Sequence, residues 1–180
     1  MLKKIIFSML TVGLVLAQEP DVVIIDLDPT STGEVLKSAL NNIYGGEVEI
    51  AYSLDEYSLL GMDAVFVLLG IFSNNTVIPA GSETPLIDYL DSGGNLYMEG
   101  GDTWAYDTQT SLHPYFGIDG LADGTGDLSG VAGIAGTFTE GMDFSYSGEN
   151  AWIDHLSPTT ETAFAVLENT NPAYFCGVAN

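Results

Sequence analysis

Asp26-Leu27-Asp28-Pro29-Thr30 sets two carboxylates and a hydroxyl directly behind an apolar run. An aspartate so placed could act as a nucleophile toward a phosphoryl group, and the phosphorylated intermediate needs a cation beside it to neutralise its charge. The only basic residues are Lys3, Lys4 and Lys37, and Lys37 falls one helical turn past the pair. A second nucleophile is Cys176, with His113 and His155 as bases. Phe175-Cys176-Gly177-Val178 reads as a buried strand, however, where a lone thiol behaves as a small apolar group.

Cation binding without catalysis is a further chemistry. Calcium prefers several hard oxygen ligands. Asp119 to Asp127 is dense in carboxylates and glycines but has no EF-hand spacing, and reads as a solvated acidic loop. Asp26, Asp28 and Asp102 are expected to meet at the carboxyl edge of a sheet, where open α/β folds bind ligands. Close carboxylates repel, so a calcium ion or a raised pKa is expected there. The aromatics Trp104, Tyr106, Tyr115, Phe116, Tyr146, Trp152 and Tyr174, beside acids and amides, would suit a carbohydrate platform; singly, such residues are more often core.

Charge limits the partners. The 180 residues hold 25 Asp and Glu against three lysines, a formal net charge of -22. Nucleic-acid binding lacks its basic patch, and an anionic membrane surface would repel the chain. With 46% hydrophobic residues and a mean hydropathy of +0.23, the chain is nonetheless a folding sequence rather than an acidic tail. Met1 to Ala17 reads as a secretory signal: Lys3 and Lys4, then apolar Ile5 to Leu16, then Val15-Leu16-Ala17 before polar Gln18. The apolar run is shorter than the roughly 20 residues of a membrane span. Cleavage would leave one lysine and one thiol, so no intrachain disulfide and no membrane span are expected in the exported chain.

The elements that must position these groups follow from patterning. Asp21 to Leu27 is a β-branched run of the kind buried on both faces of a parallel sheet. Ser31 and Glu34 fit a capping box, and Val35, Leu36, Leu40 and Ile43 give a helix over 34–44, stopped by Gly45-Gly46. Glu47 to Tyr52 alternates as an edge strand, 54–60 is a short helix or turn, and Asp63 to Leu69 is the most apolar strand. A helix over 82–91, with Pro85 in its first turn, precedes Gly93-Gly94 and a strand over 95–99. The order predicts an open, mostly parallel α/β sheet with helices on both faces. From about residue 103 the composition becomes β-rich, with strands expected at 136–139, 142–146, 163–167 and 173–178 and a hairpin turn over 168–172. The chain stops after an apolar strand, so a fragment truncated at its C-terminus is expected, with residues 18–180 as a single domain.

Asp21 to Asp28, Met62 to Leu69 and above all Tyr89-Leu-Asp-Ser-Gly-Gly-Asn-Leu-Tyr-Met-Glu-Gly-Gly-Asp-Thr-Trp104 resemble the class I glutamine amidotransferase-like variety of the flavodoxin-like fold. More narrowly, the first hundred residues after the signal resemble a domain of large secreted bacterial surface proteins. The resemblance implies a nucleophilic Cys on the tight turn after the strand over 95–99. Here that turn reads Glu99-Gly100-Gly101-Asp102, with neither Cys nor Ser. Asp-x-Asp-x-Thr at 26–30 resembles haloacid dehalogenase-like phosphatases, and Gly101-Asp102 with Asp107 resembles that family's later magnesium-binding acidic motif; these are two of the family's four elements, and the lysine is missing. The expectation is a non-catalytic structural or ligand-binding module of an exported surface or secreted protein. Its partners would be other domains of the parent protein, a carbohydrate or a cell-surface protein. The alternative is a hydrolase or hydrolase accessory completed by the missing C-terminal part. No cofactor is expected beyond calcium, and no catalytic residue is assigned. A ligand site would lie between the first and third strands near Asp28, Thr30, Ser73 and Asn74, and beside Glu99 and Asp102.

Overall fold

Four parallel strands form the first sheet of the computed structural model, which describes residues 21–30, 32–148 and 150–180. The signal segment expected over 1–17, and Ser31 of the expected capping box, lie outside the described residues. The strands are β1 (Val22–Asp26), β2 (Val48–Ala51), β3 (Ala64–Leu68) and β4 (Leu96–Glu99), in the order β2-β1-β3-β4. β1 is central and all five of its residues are buried, as its unbroken β-branched run requires.

One helix packs on each face. Helix α1 (Gly33–Ile43) lays Leu36 and Leu40 on Val22, Ile24, Val48 and Leu68. Val35 and Ile43, expected to join that buried stripe, are instead exposed. Helix α2 (Thr84–Asp91) buries Leu86 and Tyr89 on the opposite face with Val23, Ile25, Val65 and Val67. Residues 54–60 form turns.

The second sheet is antiparallel and larger. Its strands are β5 (Ile118–Ala122), β6 (Gly130–Gly133), β7 (Asp143–Ser145), β8 (His155–Pro158), β9 (Phe164–Thr170) and β10 (Ala173–Ala179), ordered β5-β8-β10-β9-β6-β7. The expected strand over 136–139 is a turn, entered through Gly136 at φ +83°. The expected acidic loop over 119–127 is strand as far as Ala122. The hairpin turn is shorter than expected, because β9 runs through Thr170 and only Asn171 and Pro172 connect it to β10. Fully buried Asn169 fixes that end of the sheet: its Oδ1 accepts from the N–H groups of Ser129 and Gly130, and its Nδ2 donates to the Asp127 and Pro172 carbonyls.

Loops tie the two sheets together at the carboxyl end of β4. The Gly101 N–H donates to the Gly70 carbonyl, and the Asp154 N–H donates to the Gly101 carbonyl. Asp154 Oδ2 accepts from the N–H groups of Trp104 and Ala105 at 2.7 and 2.8 Å. Among the described residues no helix is long and apolar enough to cross a membrane.

Candidate functional site

A groove of about 950 Å³ separates β4 from the antiparallel sheet. It exists because α1 covers only the β1–β2 side of its face, so Phe66 and Tyr97, partners in the β3–β4 register, look across open space. Their rings touch at a centroid distance of 5.6 Å. Leu128, Val131, Phe138 and Val166 of the antiparallel half form the other wall. Apolar walls with few polar groups, at a volume near the upper end of ordinary ligand pockets, are the usual make-up of a small-molecule site.

Three carboxylates lie in its lining. Asp28, Thr30, Glu99 and Asp154 all line the groove. Glu99 Oε2 accepts from the Tyr97 hydroxyl at 2.6 Å. Both side chains keep contact with water, yet the protein mass around them makes charge costly there. Burial therefore lifts the Glu99 carboxyl above its usual range, the charges of Asp28 and Asp26 add to the lift, and the Tyr97 hydrogen bond opposes it. Burial, with the adjacent Glu99 charge, likewise raises the Tyr97 hydroxyl.

Asp26 and Asp28 are occupied by the turn into α1. Asp26 Oδ2 accepts from the Gly33 N–H at 2.9 Å and Oδ1 from the Asp28 N–H, so a carboxylate seven residues upstream caps the helix. The N-cap position itself, Thr32, makes no capping bond with its side chain. Gly33 is needed for this approach, since a Cβ there would strike Asp26. Asp28 accepts from the Thr30 N–H and from the Thr30 and Thr32 hydroxyls. Burial pushes its carboxyl up, but those three bonds outweigh it and hold the group below its usual value.

The sequence-derived site thus divides. Asp28, Thr30 and Glu99 share the groove, whereas Ser73 and Asn74 sit on an exposed loop outside it. Asp102 is buried nearby and accepts from the Phe72 N–H, outside the groove lining. The expected metal set of Asp26, Asp28 and Asp102 is not assembled: among the described residues no three His, Cys, Asp or Glu side chains are grouped to hold a metal ion. The acids of the first pair are turned instead to backbone and hydroxyl donors. Asp154 was not anticipated from the sequence. Its one signal is a lone acid inside the apolar stretch Trp152-Ile153-Asp154.

The bend after β4, Glu99-Gly100-Gly101-Asp102, carries neither Cys nor Ser. A Cβ on Gly100 would meet the Thr103 hydroxyl, and one on Gly101 would meet Ile71, so the tight turn is packed shut against side chains at both positions. Cys176 is half-buried, and burial pushes its thiol up to about 11. Both histidines are engaged by other groups. His113 accepts from the Thr110 N–H through Nδ1 and contacts the Thr103 carbonyl through Nε2, and burial lowers its pKa. His155 stacks on Tyr174 at 3.7 Å, with Nε2 3.8 Å from Asp127. Lys37 is bound to Glu49 at 2.7 Å, away from the Asp26–Asp28 pair it would have to serve in phosphoryl transfer.

The carboxylates give stability a defined pH dependence. Glu99, Asp102, Asp107 and Asp154 all have raised pKa values, burial being the first cause in each. The folded chain takes up these protons before the unfolded chain does, so their contribution to stability grows as the pH falls from neutral until the unfolded groups protonate too. His113, lowered by burial, works against this, because its unfolded imidazole takes up a proton first. Asp28 and Asp127 are lowered, and their contribution is lost only as the pH falls below the ordinary value of 3.8. The unfolding midpoint is expected to be higher at about pH 5 than at about pH 7.5, and to fall again below about pH 3. A thermal melt series by circular dichroism checks it; a midpoint that declines steadily from neutral pH downward contradicts it.

No protein-family model, curated protein or solved structure matches the chain.

Proposed function

We propose that this chain is a non-catalytic ligand-binding module of an exported surface or secreted protein, built on a flavodoxin-like parallel sheet with a β-rich extension. The observation that carries the reading is the groove between the two sheets, with aromatic and aliphatic walls and a small number of carboxylates in its lining. The bend packed shut at Gly100 and Gly101, and a thiol raised by burial, support binding over catalysis. The strand order β2-β1-β3-β4, with one helix on each face, supports the flavodoxin-like description. Export rests on the Lys3-Lys4 and apolar Ile5 to Leu16 pattern.

The neutral dye Nile red tests the groove. Its emission is expected to shift to the blue and saturate at one dye per chain, and Val131→Glu is expected to abolish the shift while the circular dichroism spectrum stays folded. Unchanged emission with folded wild-type protein would rule out the groove as a binding site. Hydrolysis of amide or ester substrates that disappears in Cys176→Ser or Glu99→Gln would overturn the non-catalytic part.

A further inference from the structure

The groove carries more negative charge than the chain can balance. Asp28, Glu99 and Asp154 lie along its lining, at the carboxyl edge of the parallel sheet. Glu99 lies close enough to Asp28 to feel its charge, and the Asp154 main chain is bound to Gly101, two residues beyond Glu99. Lys37 is the only lysine or arginine among the described residues, and it is committed to Glu49.

Asp154 is the most telling of the three. Its side chain is only 3% exposed, and one oxygen is satisfied by two backbone N–H groups. The other, Oδ1, is buried with no hydrogen-bond partner. A buried carboxylate oxygen left without a donor is expensive, and native structures rarely tolerate one without a compensating group. Asp102 and Asp123 are near enough to repel it further. Beyond the acids the walls turn aromatic and aliphatic along the length of β4, through Phe66, Tyr97, Val131 and Phe138. A bare metal ion would use the acids and leave those walls idle, and no metal-ligand grouping is present among the described residues. An apolar neutral molecule would use the walls and leave the acids unbalanced.

From this juxtaposition we infer that the groove binds a small organic ammonium ion, its charged nitrogen at the carboxyl edge beside Glu99 and Asp28, on the side where Asp154 lines the groove, and its apolar body along Phe66, Tyr97 and Val131. An ammonium group brings three N–H donors, enough to reach more than one carboxylate. The Tyr97 and Phe66 rings suit the carbons next to the nitrogen, where cation–π attraction adds to apolar contact. The inference rests on the binding reading of the groove and adds the class of ligand.

Calorimetric titration with 4-phenylbutylamine and with its neutral counterpart 4-phenylbutanol, at low salt and neutral pH, separates the two. The amine is expected to bind about tenfold more tightly than the alcohol, as a charge-assisted contact requires. Glu99→Gln is expected to cut that preference to about threefold and to leave the alcohol affinity unchanged. Equal affinities of amine and alcohol for the wild-type protein would overturn the ammonium assignment and keep the binding groove. Failure of both to bind would remove the groove reading itself. Displacement of the amine by calcium chloride, with no such displacement by an equal ionic strength of sodium chloride, would overturn it in favour of a metal site. The wild-type comparison stands alone if Glu99→Gln proves unstable.

Discussion

Tyr89→Ala is expected to cost about 4 kcal/mol, the usual loss for a large aromatic removed from a packed core, and to lower the unfolding midpoint by about 12 °C for a chain of this length. Tyr89 is 1% exposed and sits where α2, the Gly93-Gly94 turn and β4 meet. Its ring occupies the space a Cβ on Gly94 would need. Its hydroxyl lies 3.1 Å from the Met62 carbonyl and 3.3 Å from the Asn95 carbonyl, and it accepts from the Asn95 N–H at 3.0 Å. One side chain therefore fills the core under β3 and β4 and sets the start of β4, the strand whose far end carries Glu99. Tyr89→Phe keeps the ring and removes the hydroxyl, leaving those backbone groups short of a partner, and is expected to cost about 1–3 kcal/mol. Urea unfolding of the two variants measures both. A Tyr89→Phe loss equal to that of Tyr89→Ala would mean the hydroxyl, not the packing, holds the junction.

The parallel half of the fold is legible in the sequence because its signals are local. The continuous Val22-Val23-Ile24-Ile25 run and Ala64-Val65-Phe66-Val67-Leu68 allow little but central strands, and Pro85 with Gly93-Gly94 brackets α2. The antiparallel half is harder to read. β5 (IDGLA) and β6 (GVAG) are rich in glycine and alternate weakly, so their strand character comes from pairing with β8 and β9 and not from their own residues. Gly136-Thr137-Phe138-Thr139 has the right composition for a strand, but Glu140 Oε2 accepts from the Gly136 N–H and the Thr137 hydroxyl donates to the Ile134 carbonyl, which closes a turn.

The site was half visible for the same reason. Asp28, Thr30 and Glu99 follow from the rule that open α/β sheets bind ligands beyond the carboxyl ends of their strands. The opposite wall, from Leu128 to Val166, arrives through contacts remote in sequence. The Asp26 carboxylate, which the sequence offers as a metal ligand or a nucleophile, is consumed in capping α1. A short Asp-x-Asp spacing cannot distinguish those uses, because a carboxylate at a helix N-terminus is stabilised by the same backbone N–H groups that would orient a reacting one.

Asp154→Ala is expected to destabilise the chain by about 3 kcal/mol at neutral pH, because two backbone N–H groups lose a charged acceptor. Trp104 is 6% exposed, and its N–H has no water to turn to once Asp154 Oδ2 is gone. The loss falls on the joint between the sheets, since the Asp154 main chain is also bound to Gly101 at the end of β4. Asp154→Asn separates the acceptor from the charge. The amide oxygen can keep both N–H bonds, while the charge that Asp102 and Asp123 oppose is removed. Its stability at pH 7 is therefore expected to stay within about 1 kcal/mol of the parent, gaining from lost repulsion and losing from a weaker acceptor. The two variants also part company in their pH dependence. Asp154 has a raised pKa, so its protonation stabilises the parent as the pH falls from neutral, and Asp154→Asn is expected to gain less on acidification. Chemical unfolding of the three proteins at about pH 7 and about pH 5 reads both effects. If Asp154→Ala and Asp154→Asn are equally destabilised at pH 7, the carboxylate charge itself, and not its acceptor oxygen, holds the sheets together.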